Sequence, residues 1–289
     1  VGIMTSIDVE NTVDSFTINV EGSGKDLANP GASNGTGGII SRGEDMNIAA
    51  KKLNISLIAG QDTQNIKFNK EKADELTKEY EKYYKDNALY KDYIDSGKID
   101  FGGTFYATTY GLYCHGTNHW INDDSIGVIN IDKVTSTVIK VDDKYKAGVG
   151  VCASTYYDLG YPDDIWGYHP GTINILGDAD ISAVGKEGAK ALYARNGGTI
   201  NVGSEGKTLN FVGDIVSHGR YDVEETFKEE HVSIHKVSTI NLHGNSVFDG
   251  TKTQFIATDG GFINLAGGNM SGVLNIAKDS KVNLTGATF

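Results

Sequence analysis

Both tryptophans of the chain, Trp120 and Trp166, lie in polar stretches crowded with other groups able to grip a ligand. Residues 115–126 carry His119, Asn122 and Asp123 beside Trp120, and residues 153–170 carry Tyr156, Tyr157, Tyr161, Asp163, Asp164 and Tyr168 around Trp166. Flat aromatic faces stack on sugar rings or protein side chains, while carboxylates and amides hydrogen-bond to hydroxyls. The set suits recognition of a glycan or a protein. The same aromatics could equally form a satellite core, because an excursion of this length needs packing of its own.

A third polar stretch, residues 218–236, differs in kind. It holds Glu224, Glu225, Glu229 and Glu230 with His218, His231 and His235, and reads as a charged, solvated excursion able to form a helix. Its His and Glu spacing does not match a compact zinc motif, so no metal is expected there. The pairs Asp123-Asp124, Asp142-Asp143 and Asp163-Asp164 lack the pattern of an EF-hand or a calcium-binding nonapeptide, and read as turns.

Catalytic chemistry finds little support. There is no Gly-x-Ser-x-Gly elbow and no evident Ser/His/Asp spacing. A polysaccharide lyase would need an acidic calcium cluster with a basic residue near the sugar's acidic proton, and a hydrolase would need carboxylates facing each other across the cleaved bond. Arg42, Arg195 and Arg220 are the only arginines, and none lies beside an acidic strand pattern. No catalytic residue and no cofactor are expected.

The elements that must position these loops announce themselves by repetition. An apolar–Asn–apolar phrase returns at Thr17-Ile18-Asn19-Val20, Val128-Ile129-Asn130-Ile131, Thr172-Ile173-Asn174-Ile175, Thr199-Ile200-Asn201-Val202, Thr239-Ile240-Asn241-Leu242 and Phe262-Ile263-Asn264-Leu265. Each has the period-two alternation of a strand. Further short strands fall between them at 137–141, 208–212 and 273–276, set apart by Gly, Asp, Lys and Ser.

A second phrase closes each unit with a small residue, and its alignment puts Cys114, Cys152, Ala194, Ser217 and Ala257 at one position. The unit is near 23 to 27 residues, and one corner repeatedly accepts insertions. Three short strands in a unit of this length make one coil of a parallel β-helix, in which each coil stacks on the last and buries a continuous apolar column. Asn at one place in successive coils would form a ladder of amides at the strand spacing of about 4.8 Å.

On this alignment Cys114 and Cys152 occupy equivalent places in successive coils. Stacked α-carbons about 4.8 Å apart fall within disulfide range, although parallel in-register side chains make the torsion awkward. The alternative is two buried thiols acting as small apolar side chains, as Ala194 and Ala257 do.

One stretch has a helical period. In residues 69–98, Ala73, Leu76, Tyr80, Tyr83, Asn87, Tyr90 and Ile94 form a stripe, Asn69 can cap the start and Gly97 can end it. The stripe is suited to docking this segment on the β-helix as a side module.

Composition agrees with a turn-rich folded protein. Glycine contributes 37 of 289 residues, about 13% against an average near 7%, while prolines number 3. A net charge of −12 leaves no basic face for nucleic acid, and no apolar stretch is long enough for a membrane-spanning helix. The chain starts at Val1 without Met and stops in mid-pattern at Phe289, and reads as a mature or trimmed piece of something longer.

The Gly-Gly-Thr-Ile-Asn-Val phrase at 197–202, Thr208-Leu209-Asn210-Phe211 and Ala191-Leu192-Tyr193-Ala194 resemble the passenger region of bacterial autotransporter adhesins. The resemblance covers roughly residues 100–289 and, more loosely, 1–68, and the chain departs from the family's usual economy in its large insertions. It implies an all-β, right-handed parallel β-helix over 1–289, with a helical insertion at 69–98 and corner loops at 115–126, 153–170 and 218–236. It further implies a bacterial cell-surface or secreted location, a glycan or protein of a host or neighbouring cell as partner, and a capacity for homotypic association and biofilm. A polysaccharide-degrading β-helix enzyme is the rival class.

Overall fold

Alternation builds the strands. In Thr199-Ile200-Asn201-Val202 the Ile and Val are buried while Thr and Asn stay half-buried, the pattern of a strand with one face in a core. The computed structural model describes residues 13–22, 25–26, 37–43, 45–59, 105–106, 109–116, 127–144, 147–154, 170–186, 188–227, 230–248, 253–268, 273–277 and 279–287. Over these residues the protein is all-β, a parallel β-helix of three sheets.

Sheet 1 stacks β1 (Val13–Gly22), β5 (Ala50–Ala59), β9 (Ser136–Asp143), β12 (Asp178–Gly185), β15 (Thr208–Val212) and β20 (Asn245–Phe248). Sheet 2 stacks β3 (Gly37–Arg42), β7 (Thr109–His115), β10 (Gly148–Ser154), β13 (Ala189–Arg195), β16 (Asp214–His218), β21 (Gln254–Thr258) and β23 (Val273–Ile276). Sheet 3 stacks β4 (Asp45–Asn47), β8 (Val128–Asn130), β11 (Thr172–Ile175), β14 (Thr199–Val202), β19 (Ser238–His243), β22 (Gly261–Ala266) and β24 (Lys281–Thr285). From β1 to β22 the chain visits the sheets in turn, each visit adding one parallel strand, and β23 and β24 then extend sheets 2 and 3. Two short antiparallel pairs accompany them, β2 (Lys25–Asp26) with β6 (Phe105–Tyr106) and β17 (Arg220–Phe227) with β18 (Glu230–Lys236).

Inward side chains of all three sheets form one core. Ile129, Ile173, Ile200, Ile240 and Ile263 follow one another up sheet 3, each fully buried. Ile55, Ile139, Ile181 and Phe211 do the same in sheet 1. Each such side chain contributes about 1.5–3 kcal/mol by leaving water, which accounts for the tolerance of long excursions between strands.

Glycine acts for two separate reasons at the corner between sheets 2 and 3. In Arg195-Asn196-Gly197-Gly198, Asn196 and Gly197 have φ of 49° and 95°, and Gly198 N–H donates to the Arg195 carbonyl at 2.9 Å. Asp259 and Gly260 repeat this turn, with φ of 50° and 83°. The second glycine of each corner is needed for space, because a β-carbon on Gly198 or Gly261 would fall on the carbonyl oxygen of Ala153 or Ser217 in the adjoining coil.

Three sequence expectations change. The 218–236 excursion is a β-hairpin of β17 and β18, not a helix, with Thr226 opposite His231 and Glu224 opposite Ser233. The phrase Thr17-Ile18-Asn19-Val20 belongs to sheet 1, where Asn19 pairs with Ser56, so it is no part of the Asn column in sheet 3. Insertions leave two corners rather than one, since 60–108 joins β5 of sheet 1 to β7 of sheet 2 while 116–127, 155–171 and 219–237 join sheet 2 to sheet 3. The helix expected over 69–98 lies outside the described residues.

Candidate functional site

The corner between sheets 2 and 3 is where the two Trp-bearing excursions begin. β7 and β10 are hydrogen-bonded neighbours, and their last residues, His115 and Ser154, are partners in register. The return points are neighbours too, since Thr172 N–H donates to the Gly127 carbonyl at 2.9 Å. His115, Ala153 and Ser154 still belong to strands, so the excursions start after them. His119, Trp120, Asn122, Asp123, Tyr156, Tyr157, Tyr161, Asp163, Asp164, Trp166 and Tyr168 all lie outside the described residues. The roots of the segments that carry them are stacked one on the other.

Those roots are buried and polar. His115 is 4% exposed and its Nδ1 lies 2.6 Å from the Gly116 carbonyl oxygen, so Nδ1 carries the proton and donates it. The Tyr113 ring stands 5.3 Å from the His115 ring and stacks at 4.8 Å on Tyr110. Tyr110, Val149 and Cys152 make a small second cluster on this outer face of sheet 2, with Tyr113 and Tyr193 against it. The outer face of β7 and β10 is thus a packed layer rather than a wet one.

In β13, the next strand of sheet 2, the character of this face changes. Lys190 Nζ lies 5.0 Å from the centre of the half-buried Tyr193 ring and Arg195 Cζ lies 5.5 Å from it. Two cations on one aromatic ring make a basic, aromatic spot on a chain of net charge −12, each contact worth about 0.5–2 kcal/mol. The sequence reading missed it. Its signal is the spacing of Lys190, Tyr193 and Arg195, offset by the register irregularity between Lys190 and Leu192.

The paired-cysteine alignment is off by one residue. Cys114 pairs with Ala153, whereas Cys152 pairs with Tyr113 on one side and Tyr193 on the other. A one-residue step turns a side chain to the opposite face. Cys114 therefore packs in the main core and Cys152 in the outer cluster, both as buried free thiols. Burial pushes the Cys114 thiol up to about 12.

Sheet 3 carries a second arrangement. Asn130 donates to Asn47 at 2.9 Å, Asn174 to Asn130, Asn201 to Asn174, Asn241 to Asn201 and Asn264 to Asn241 at 2.7 Å each, and Asn283 to Asn264 at 2.6 Å. In every bond Nδ2 of the later coil reaches Oδ1 of the earlier one. Asn47 and Asn283 join the column from Met46-Asn47-Ile48 and Val282-Asn283-Leu284, two further occurrences of the apolar–Asn–apolar pattern.

Comparison of the chain with models of known families, with curated proteins and with solved structures finds no match. Among the described residues no three His, Cys, Asp or Glu side chains gather as a metal ion would require. Among the same residues no helix is long and apolar enough to cross a membrane, which says nothing of a β-barrel.

Proposed function

We propose that this chain is the stalk of a cell-surface adhesin, similar to the autotransporter passenger regions its repeat phrases resemble. Its β-helix is right-handed, and the 69–98 segment is a helical side module. The excursions rooted at His115 and Ser154 grip a glycan or a protein on a host or neighbouring cell. The observation that supports this reading is the pairing of those two residues, since the strand ends from which both tryptophan-bearing segments start are neighbours at one corner. Tyr193 with Lys190 and Arg195 lies on the next strand and would add a stacking ring and two cations for an acidic ligand.

A second reading rests on the Asn ladder. A regular polar column on the outer face of sheet 3 is a surface that two identical columns could share, and it favours self-association. Cell attachment and clumping of cells displaying the chain separate the two. Trp120→Ala with Trp166→Ala abolishes attachment and leaves clumping intact if the corner binds. Loss of clumping alone on Thr199→Lys with Thr239→Lys, two substitutions beside the ladder, favours self-association. Turnover of a polysaccharide by the purified chain would replace both readings with the enzyme.

A further inference from the structure

The outer face of sheet 2 is buried more deeply than the outer faces of the other two sheets. Up this face Ile40, Tyr113, Cys152, Tyr193 and Val216 pair in register, strand on strand. Ile40 is 4%, Cys152 0% and Val216 7% exposed, and Tyr110 and Val149 beside them are 6% and 1% exposed. In β15 of sheet 1 the outward Thr208, Asn210 and Val212 are all exposed, and in β14 of sheet 3 Thr199 and Asn201 are half-buried. A wall one sheet thick keeps apolar side chains dry on its outer side only beneath a second layer. Among the described residues, the elements that β7 and β10 chiefly contact are strands of the three sheets themselves, which supply no such layer.

One connection has the length and the position to supply it. From sheet 1 to sheet 2 the chain uses residues 144–147 between β9 and β10 and residues 186–188 between β12 and β13, but residues 60–108 between β5 and β7. The return of this long connection is fixed at the edge of the buried face, where the Thr109 hydroxyl donates to the buried Asp143 carboxylate at 2.7 Å and Tyr110 comes next. Tyr110 and Val149 are the second residues of their strands, whereas the excursions rooted at His115 and Ser154 leave from the opposite end. Within 60–108 the apolar stripe from Ala73 to Ile94 is set among Lys, Glu and Asp, and a helix of that pattern needs a surface on which to bury its one apolar face. At about 1.5 Å per residue the stripe is roughly 30 Å long, enough to cross the strands from β3 to β16 at about 4.8 Å each.

We propose that residues 69–98 dock as an amphipathic helix on the outer face of sheet 2, over the cluster of Tyr110, Val149 and Cys152. This rests on the reading of 69–98 as a helical side module. The stripe meets the aromatic and apolar side chains of β7 and β10, and the charged residues around it stay in water. Because β7 and β10 also end at His115 and Ser154, the docked segment braces the two strands from which the tryptophan-bearing excursions start.

Cys152 reports on the cover, and Cys114, on the inner face of the same sheet, reports on the fold. Replacing residues 60–108 by a copy of 144–147, the connection of the next coil, is expected to let a maleimide label Cys152 at least about tenfold faster than in the parent while Cys114 stays unlabelled. The helical part of the far-ultraviolet circular dichroism should go with the deleted segment. Equal helix content in parent and shortened chain would refute the helical reading of 69–98, and the proposal with it. Helix lost with Cys152 still unlabelled overturns the docking alone. So does a parent in which closing 116–126 and 155–170, rather than shortening 60–108, exposes Cys152. Should the shortened chain expose both thiols, the full-length chain with Tyr80→Lys, Tyr83→Lys and Tyr90→Lys decides: faster labelling at Cys152 alone supports docking, and any other pattern overturns it.

Discussion

Cys114 and Cys152 stand in neighbouring strands of one sheet yet face opposite ways, Cys114 into the main core beside Ala153 and Cys152 into the outer cluster beside Tyr113 and Tyr193. The chain should therefore yield two free thiols on denaturation without reductant, and neither should react with a thiol reagent in the native state. A native disulfide found by mass spectrometry would contradict this pairing.

The Cys114 thiol also fixes a pH dependence. Its folded value of about 12 lies above the ordinary thiol range, so the folded state keeps a proton that the unfolded chain gives up. Stability is fully present below about pH 9 and falls as pH rises toward 12, because the unfolded state then binds fewer protons. Denaturant midpoints between pH 8 and 11 should decline more steeply for the parent than for Cys114→Ala, a residue the same column already takes at Ala153, Ala194 and Ala257.

The ladder predicts a graded cost. Asn201→Leu removes an amide that donates to Asn174 and accepts from Asn241, leaving both partners unmet, and should cost about 1–3 kcal/mol. Asn283→Leu breaks one bond on an exposed strand and should cost less than half as much. Urea titration of both variants checks the order.

Corner glycines should separate by mechanism. Gly198→Ala drives a β-carbon onto the Ala153 carbonyl and should cost about 3 kcal/mol or more. Gly206→Ala meets open space, and its positive φ of 78° alone should cost about 1–2 kcal/mol. Thermal unfolding of the pair distinguishes crowding from backbone strain.

The coils were legible in the sequence where one face is wet. Thr-Ile-Asn-Val in sheet 3 alternates buried with half-buried residues, so its period fixes the register and the ladder at Asn130, Asn174, Asn201, Asn241 and Asn264. Register fails as a signal where both faces are buried. All seven residues of Gly148–Ser154 are buried, so period two vanishes and Cys152 slips by one place. Met46-Asn47-Ile48 and Val282-Asn283-Leu284 carry the same apolar–Asn–apolar pattern, but so do Leu53-Asn54-Ile55 and Leu209-Asn210-Phe211 of sheet 1, so the pattern alone does not tell a ladder strand from another. In 218–236 the pairs Glu224-Glu225 and Glu229-Glu230 mask a strand pattern in Val223, Val232 and Ile234. The Lys190, Tyr193 and Arg195 spot depends on a strand irregularity that periodicity does not carry.

The corner itself allows the most direct test of the proposed function. Replacing 116–126 and 155–170 by the Asn196-Gly197 corner that closes the next coil keeps the β-helix and removes both tryptophan-bearing segments. Applied to a glycan array and to cells beside the parent, this variant should keep the parent's β-sheet circular dichroism and lose its binding. Undiminished binding by the closed-corner variant would contradict the account.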